Sequence, residues 1–79
     1  MEKNYLECRT YEGESSRDCL EIISINGVIN TLQTDQIPLT KEGLEVYVIG
    51  EDDGKALIIL PPGIGIQREI TVDVRFLAA

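Results

Sequence analysis

Residues 44–62 contain two apolar runs on either side of a short acidic turn, and this arrangement constrains the fold more than any other feature of the chain. The runs are Val46–Ile49 and Leu57–Leu60, and Asp53-Gly54 lies midway between them. Asp-Gly is typical of a two-residue type I′ hairpin loop, in which both residues need positive φ. The cross-strand pairs predicted by such a loop are Ile49 with Ile58, Val48 with Ile59, and Tyr47 with Leu60.

Alternating and β-branched residues indicate further strands beside this central hairpin. The segments are residues 4–11, 18–25, 28–32 and 70–76, and none has the periodicity of a stable helix. Asn26-Gly27 predicts a second type I′ loop, which would place Ile25 opposite Val28. We therefore expect one all-β domain over residues 1–79, with about six strands mostly in sequential hairpins. It would be a small antiparallel barrel or a compact sandwich, with no substantial helix.

The two cysteines lie on the two strands of the first predicted hairpin. If its loop is Gly13-Glu14, Arg9 lies opposite Asp18 and Cys8 lies opposite Cys19. Directly opposed residues of an antiparallel pair are within disulfide range. A cytoplasmic location would nevertheless keep both thiols reduced, and we expect that location because no secretory signal or membrane-spanning run is visible.

The charge balance limits the classes of partner that this chain is suited to bind. The formal net charge is −7, from 14 acidic and 7 basic residues. An acidic chain is poorly suited to DNA, to RNA and to anionic membrane surfaces, since basic side chains supply most of that affinity. The same charge suits solubility and docking to a basic patch on another protein.

The sequence offers no catalytic, metal-binding or cofactor-binding constellation. It contains no histidine and only two cysteines, which removes His-dependent nucleophilic triads and the usual structural zinc sites. The acidic run Glu51-Asp52-Asp53 occupies a single turn, whereas a calcium loop spreads its ligands over about twelve residues. We expect no enzymatic activity, no metal and no cofactor.

The central hairpin has two apolar faces, and a single thin core covers only one of them. The face predicted to remain available as an interface with another protein or a second copy comprises Tyr47, Ile49, Ile58 and Leu60. The scattered basic residues Arg9, Arg68 and Arg75 are candidates for contact with an anion, because Arg9 and Arg75 would share a face if the first and last strands were neighbours.

Residues 22–49 resemble the second half of a PilZ domain, through Ser24-Ile25-Asn26-Gly27 followed by a strand and by Pro38, Gly43 and Val46. The resemblance implies a barrel that binds cyclic di-GMP. The chain has Ile22 where the PilZ motif has an aspartate. It also lacks the closely spaced arginine pair of that family.

Residues 44–70 are similar to the later strands of carbon storage regulator proteins, which bind RNA as strand-exchanged dimers. The similarity lies in Val46–Gly50, Ala56–Leu60, Pro61 and Arg68-Glu69-Ile70, with gaps in the spacing. It implies that Arg68 occupies an RNA-contacting position. The residues themselves favour a non-catalytic, acidic protein-interaction module that binds another protein or a second copy of itself, and a small-ligand or RNA-binding barrel is the alternative.

Overall fold

Antiparallel pairing between neighbouring strands organises the chain. The computed structural model describes residues 1–12, 18–32, 37–62 and 68–78. The strands are β1 (Glu2–Leu6), β2 (Arg9–Glu12), β3 (Asp18–Ser24), β4 (Gly27–Leu32), β5 (Leu39–Thr40), β6 (Gly43–Asp52), β7 (Lys55–Ile59) and β8 (Glu69–Asp73). One 3₁₀ helix follows β8 over Val74–Phe76, and these four ranges contain no α-helix. The predicted all-β fold is confirmed.

The strands form two antiparallel sheets, so the architecture is sandwich-like rather than a closed barrel. Sheet 1 contains β1, β6, β7 and β8 side by side, with β5 paired to the start of β6. Sheet 2 has the order β2-β3-β4. The chain crosses from sheet 1 to sheet 2 at Glu7 and Cys8, where the Glu7 N–H donates to the Phe76 carbonyl (2.7 Å). The single strand predicted over residues 4–11 is therefore two strands in different sheets.

Buried apolar side chains from both sheets meet in one core. Sheet 2 contributes Leu20 and Ile22, which are both fully buried. The other members are Leu6, Ile37, Leu44, Val46, Ala56, Ile58, Leu60, Ile70 and Val72. Alternate residues of β7 and β8 enter this core, as the period of two in a strand requires.

The central hairpin has the predicted loop but not the predicted register. Asp53 (φ 53°) and Gly54 (φ 77°) both have positive φ, and Asp52 pairs with Lys55. The register then shifts between Val48 and Gly50, so that Val48 pairs with Ile58. A β-bulge at Ile49 causes the shift, because one extra residue on β6 is left without a partner on β7.

The turn between β3 and β4 lies one residue earlier than predicted. Ser24 pairs with Gly27, so the loop residues are Ile25 and Asn26, and neither has positive φ. The Ser24 Oγ fixes this turn: it accepts from the Asn26 N–H (3.2 Å) and donates to the Gly27 carbonyl (2.9 Å). A hydroxyl that binds the backbone within a turn is a common turn device, and here it outweighs the Asn-Gly preference.

The first hairpin also has a different register, and the predicted cysteine pairing is wrong. Cys19 pairs with Tyr11, and Arg9 pairs with Glu21 rather than Asp18. The proposed loop residues Gly13-Glu14 lie outside the described residues. Because Cys8 precedes β2 and is not opposite Cys19, the two thiols do not form a disulfide.

The last strand ends earlier than its sequence alternation indicates. β8 stops at Asp73, whose Oδ1 accepts from the Arg75 N–H (2.9 Å) and caps the 3₁₀ helix. The chain then returns to the outer edge of β1: Leu77 bridges Leu6, and the Ala78 N–H donates to the Tyr5 carbonyl (2.9 Å). The 3₁₀ helix thus carries the chain from one edge of sheet 1 to the other.

Candidate functional site: an exposed apolar surface

Four exposed apolar side chains lie at or beside one groove between the two sheets: Val28 and Leu57 line the groove, and Ile23 and Ile25 lie next to it on the hairpin. Ile23, Ile25 and Val28 come from the β3–β4 hairpin, and Leu57 comes from β7. We refer to these four residues as the hairpin surface. Val28 is the most exposed of them, at 55%. Because Ile23 pairs directly with Val28, their side chains share the outer face of sheet 2.

The groove lies where the tip of the hairpin meets sheet 1. The Ile25 N–H donates to the Thr71 carbonyl (3.0 Å) and holds the tip against β8. The cavity has a volume of about 330 Å³. Its lining comprises Ser24, Asn26, Gly27, Val28 and Ile29 from the hairpin, and Leu57, Glu69, Ile70 and Thr71 from sheet 1. An apolar side chain of a partner could enter it, with the Glu69 carboxylate at its border.

The structure does not bring the four residues of the predicted interface onto one face. Ile58 and Leu60 are buried in the core, whereas Tyr47 and Ile49 are each 43% exposed. The bulge at Ile49 is the reason, since it places Ile58 beside Val48 on the inner face. Tyr47 instead pairs with Ile59 on the outer face of sheet 1.

The three arginines proposed as anion contacts are not gathered at one site. Arg9 and Phe76 line one surface depression, and the Arg75 guanidinium lies 4.9 Å from the centroid of the Phe76 ring. Arg68 lies at the other end of β8 from Arg75. Arg9 Nη1 is 3.9 Å from Glu21 Oε1, and Arg75 Nε is 3.6 Å from Asp73 Oδ2. These carboxylates compete with an external anion for both arginines.

Cys8 is the one described residue whose pKa is moved far from its ordinary value. Burial raises the pKa of the Cys8 thiol to about 11, and the nearby Glu7 carboxylate adds to the shift. A thiol with a raised pKa is a poor nucleophile at neutral pH, because the thiolate is the reactive form. The Cys8 Sγ donates weakly to the Leu6 carbonyl (3.4 Å), which fits a structural role at the crossover between the sheets.

The described residues hold no group of three or more side chains placed to share a metal ion. The acidic residues Glu51, Asp52 and Asp53 are all exposed around the tip of the central hairpin. Nor does any helix within the described ranges have the length and apolar character needed to cross a membrane.

The residues of the hairpin surface were not singled out from the sequence. The pattern Ser-x-x-Gly at Ser24–Gly27 could have predicted the observed turn, because it places a hydroxyl where it can bind the loop backbone. That turn sets Ile23 opposite Val28 and thereby gathers the apolar side chains of the hairpin. The position of Leu57 on this surface could be predicted only with the bulge in place, since the register without a bulge assigns Leu57 to the same face as Val48.

Comparison with models of protein families, with curated proteins and with solved structures found no match to this chain.

Proposed function

We propose that this chain is a non-catalytic protein-interaction module that binds through the hairpin surface. The observation that carries the proposal is that the exposed side chains of Val28 and Leu57 line one groove of about 330 Å³, with exposed Ile23 paired to Val28 and exposed Ile25 in the adjoining turn. A contiguous apolar patch on a small protein commonly marks an interaction site, whereas single exposed apolar residues do not. The patch is contributed by both sheets, so the fold itself creates it.

The charge of the chain defines the chemistry of a suitable partner. With a net charge of −7, the module favours a partner that has an apolar anchor side chain and a basic surround. Glu69, which lines the groove, is an acidic residue available to such a surround. A cytoplasmic setting belongs to this proposal: Cys8 and Cys19 are not joined by a disulfide, which is the state that a reducing compartment maintains.

The test compares two isoleucines of nearly equal exposure. Ile25 on the hairpin surface is 47% exposed, and Ile49 on the bulge is 43% exposed. Wild-type protein, Ile25→Glu and Ile49→Glu would each be tagged and used for cross-linking and mass spectrometry in the native host. We expect a specific protein to be captured by the wild type and by Ile49→Glu but not by Ile25→Glu.

Circular dichroism would establish that both variants remain folded. Capture that is equal for all three proteins would contradict a binding role for the hairpin surface. Loss with Ile49→Glu alone would assign binding to the central hairpin instead. Calorimetric titration with cyclic di-GMP, and mobility shifts with short RNAs, serve as the counter-test, since binding of either would support a ligand-binding domain.

A further inference from the structure

One edge of sheet 2 has no partner within the described residues. β3 lies between β2 and β4 in the strand order, and β3 is the one described strand that pairs with β4. In an antiparallel pair, every second residue directs its N–H and C=O away from the partner strand. The Val28–Asn30 part of β4 therefore presents backbone donors and acceptors on the side away from β3, and such groups are a template for pairing with another strand.

The other sheet edges in the described part of the chain carry the features that block pairing, and β4 does not. β2 contains Arg9 and Glu12, and β8 contains Glu69 and Asp73. β1 is charged at its start, and the segment around Leu77 covers the far end of its outer edge. Charged side chains and covering segments are the usual protection of edge strands. The sequence of β4, GVINTL, contains neither a charge nor a proline.

We propose that β4 pairs antiparallel with β4 of a second copy, so that two three-stranded sheets become one continuous sheet. This inference rests on the proposed function and names a partner for the same hairpin. Two copies that each carry −7 repel one another unless they meet at a neutral part of the surface. Residues 22–32 contain no charged side chain, although 27% of the chain is charged.

An antiparallel edge is also complementary to itself, because a two-fold axis perpendicular to the sheet maps the strand onto a partner of opposite direction. Opposed residues must point to the same face of the continuous sheet. That condition leaves two registers centred on the middle of β4. In one, Ile29 lies opposite Ile29 of the second copy, and in the other, Asn30 lies opposite Asn30 of the second copy. In both registers Val28, now 55% exposed, lies beside the partner strand.

Sedimentation equilibrium over a range of protein concentrations tests the proposal. We expect a wild-type dimer, and we expect Val28→Lys to raise its dissociation constant at least about tenfold, because each lysine would place its charge against the uncharged partner strand, as charged residues on edge strands do to block pairing. Thr10→Lys is the matched control: Thr10 is exposed on β2, the opposite edge of the same sheet. Both variants lower the magnitude of the net charge equally, so general repulsion cannot explain a difference between them.

Single cysteines provide a second measurement that does not depend on weakening the dimer. In a background with Cys8→Ser and Cys19→Ser, we expect either Ile29→Cys or Asn30→Cys to form an intermolecular disulfide, since residues at the axis lie within disulfide range. Thr10→Cys should not cross-link. A wild-type monomer at every concentration, together with no cross-link at residue 29 or 30, would overturn the proposal.

The outcomes separate this inference from the proposed function. A monomer that still captures another protein in a manner abolished by Ile25→Glu would refute the β4 dimer and leave the interaction module standing. The opposite result is a protein that dimerises through β4 while its hairpin-surface variants still capture the same proteins as the wild type. That result would support the dimer and refute binding of a separate protein by the hairpin surface.

Discussion

Gly27 and Gly43 occupy equivalent positions in two hairpin turns of the same design. Each has φ of +130°, and each follows a hydroxyl residue by three positions. The Thr40 Oγ1 accepts from the Glu42 N–H (3.1 Å) and donates to the Gly43 carbonyl (2.9 Å), as Ser24 does in its own turn. The two glycines differ in their surroundings, because Gly43 lies against the backbone of β1 and Gly27 does not.

Replacing each glycine with alanine separates backbone strain from crowding. Gly27→Ala should destabilise by about 1–2 kcal/mol, since positive φ is unfavourable for alanine and its Cβ would meet no neighbour. Gly43→Ala should cost about 1–3 kcal/mol more, because its Cβ would collide with the Leu6 carbonyl group. Urea denaturation measures both variants. Equal losses of unfolding free energy would show that the approach to β1 is unimportant.

Cys8 gives a pH dependence that can be tested at the level of one thiol. Because burial raises its pKa to about 11, alkylation of Cys8 in a Cys19→Ser variant should be much slower at pH 8 than that of an unfolded control peptide. The unfolded thiol loses its proton first, so the stability that Cys8 contributes is complete below the unfolded pKa. It should be lost as pH rises through about 11. Alkylation as fast as in the peptide would contradict burial of this thiol.

The end of β8 shows how one side chain can stop a strand. Asp73 accepts the Arg75 N–H and begins the 3₁₀ helix, although Val74 and Phe76 continue the apolar alternation of the strand. Asp73→Ala should therefore destabilise by about 1 kcal/mol through loss of the cap. Asp73→Asn keeps an acceptor oxygen and should lose less. Thermal unfolding of the two variants is the measurement, and identical losses would assign the effect to the charge.

Strand identity could largely be predicted from the sequence, whereas register could not. Asp53-Gly54 specified its own loop because positive φ restricts the choice of residues. The bulge at Ile49 directly precedes Gly50, and a glycine inside a strand is compatible with a bulge but does not require one. The bulge reverses which residues of β7 share a face with Val48. A shift of one residue in a strand exchanges its two faces. Without that shift, the sequence pattern places Ile58 and Leu60 on the predicted interface.

The site depended on contacts between distant parts of the chain. The division at Glu7 and Cys8 moves β2 into a separate sheet, and the sequence of residues 4–11 alternates smoothly across that point. Nothing local distinguishes a strand that continues from one that changes sheets. The meeting of Leu57 with the β3–β4 hairpin follows from that division, so local patterns could identify the apolar residues but not bring them together.

At the scale of the whole molecule, sheet 2 is attached to the core chiefly through β3. Its buried side chains are Leu20 and Ile22, and a protein of this size has a small margin of stability, about 5 kcal/mol. Ile22→Ala should cost about 2–5 kcal/mol through loss of contacts and cavity formation. Ile23→Ala, at a neighbouring residue that is 37% exposed, should change the unfolding free energy by about 0.5 kcal/mol or less.

Hydrogen exchange would show where the stability is lost. We expect Ile22→Ala to lose protection first in β3 and β4, while β6 and β7 remain protected. Uniform loss of protection across both sheets would indicate that the sandwich unfolds as one unit. A larger effect for Ile23→Ala than for Ile22→Ala would contradict the orientation of β3.

The return of residues 77–78 to β1 has a consequence for the order of folding. Leu6 pairs with Leu44 and bridges Leu77, so both edges of β1 close long loops, whereas β3–β4 and β6–β7 close short ones. Long loops carry a larger entropic cost, and the contacts that close them form slowly. In pulsed-labelling experiments the amides of β1 should become protected after those of the two hairpins. Although β1 precedes the other strands in the chain, it would then be the last of them to become stably paired, because its outer edge requires residues 77–78.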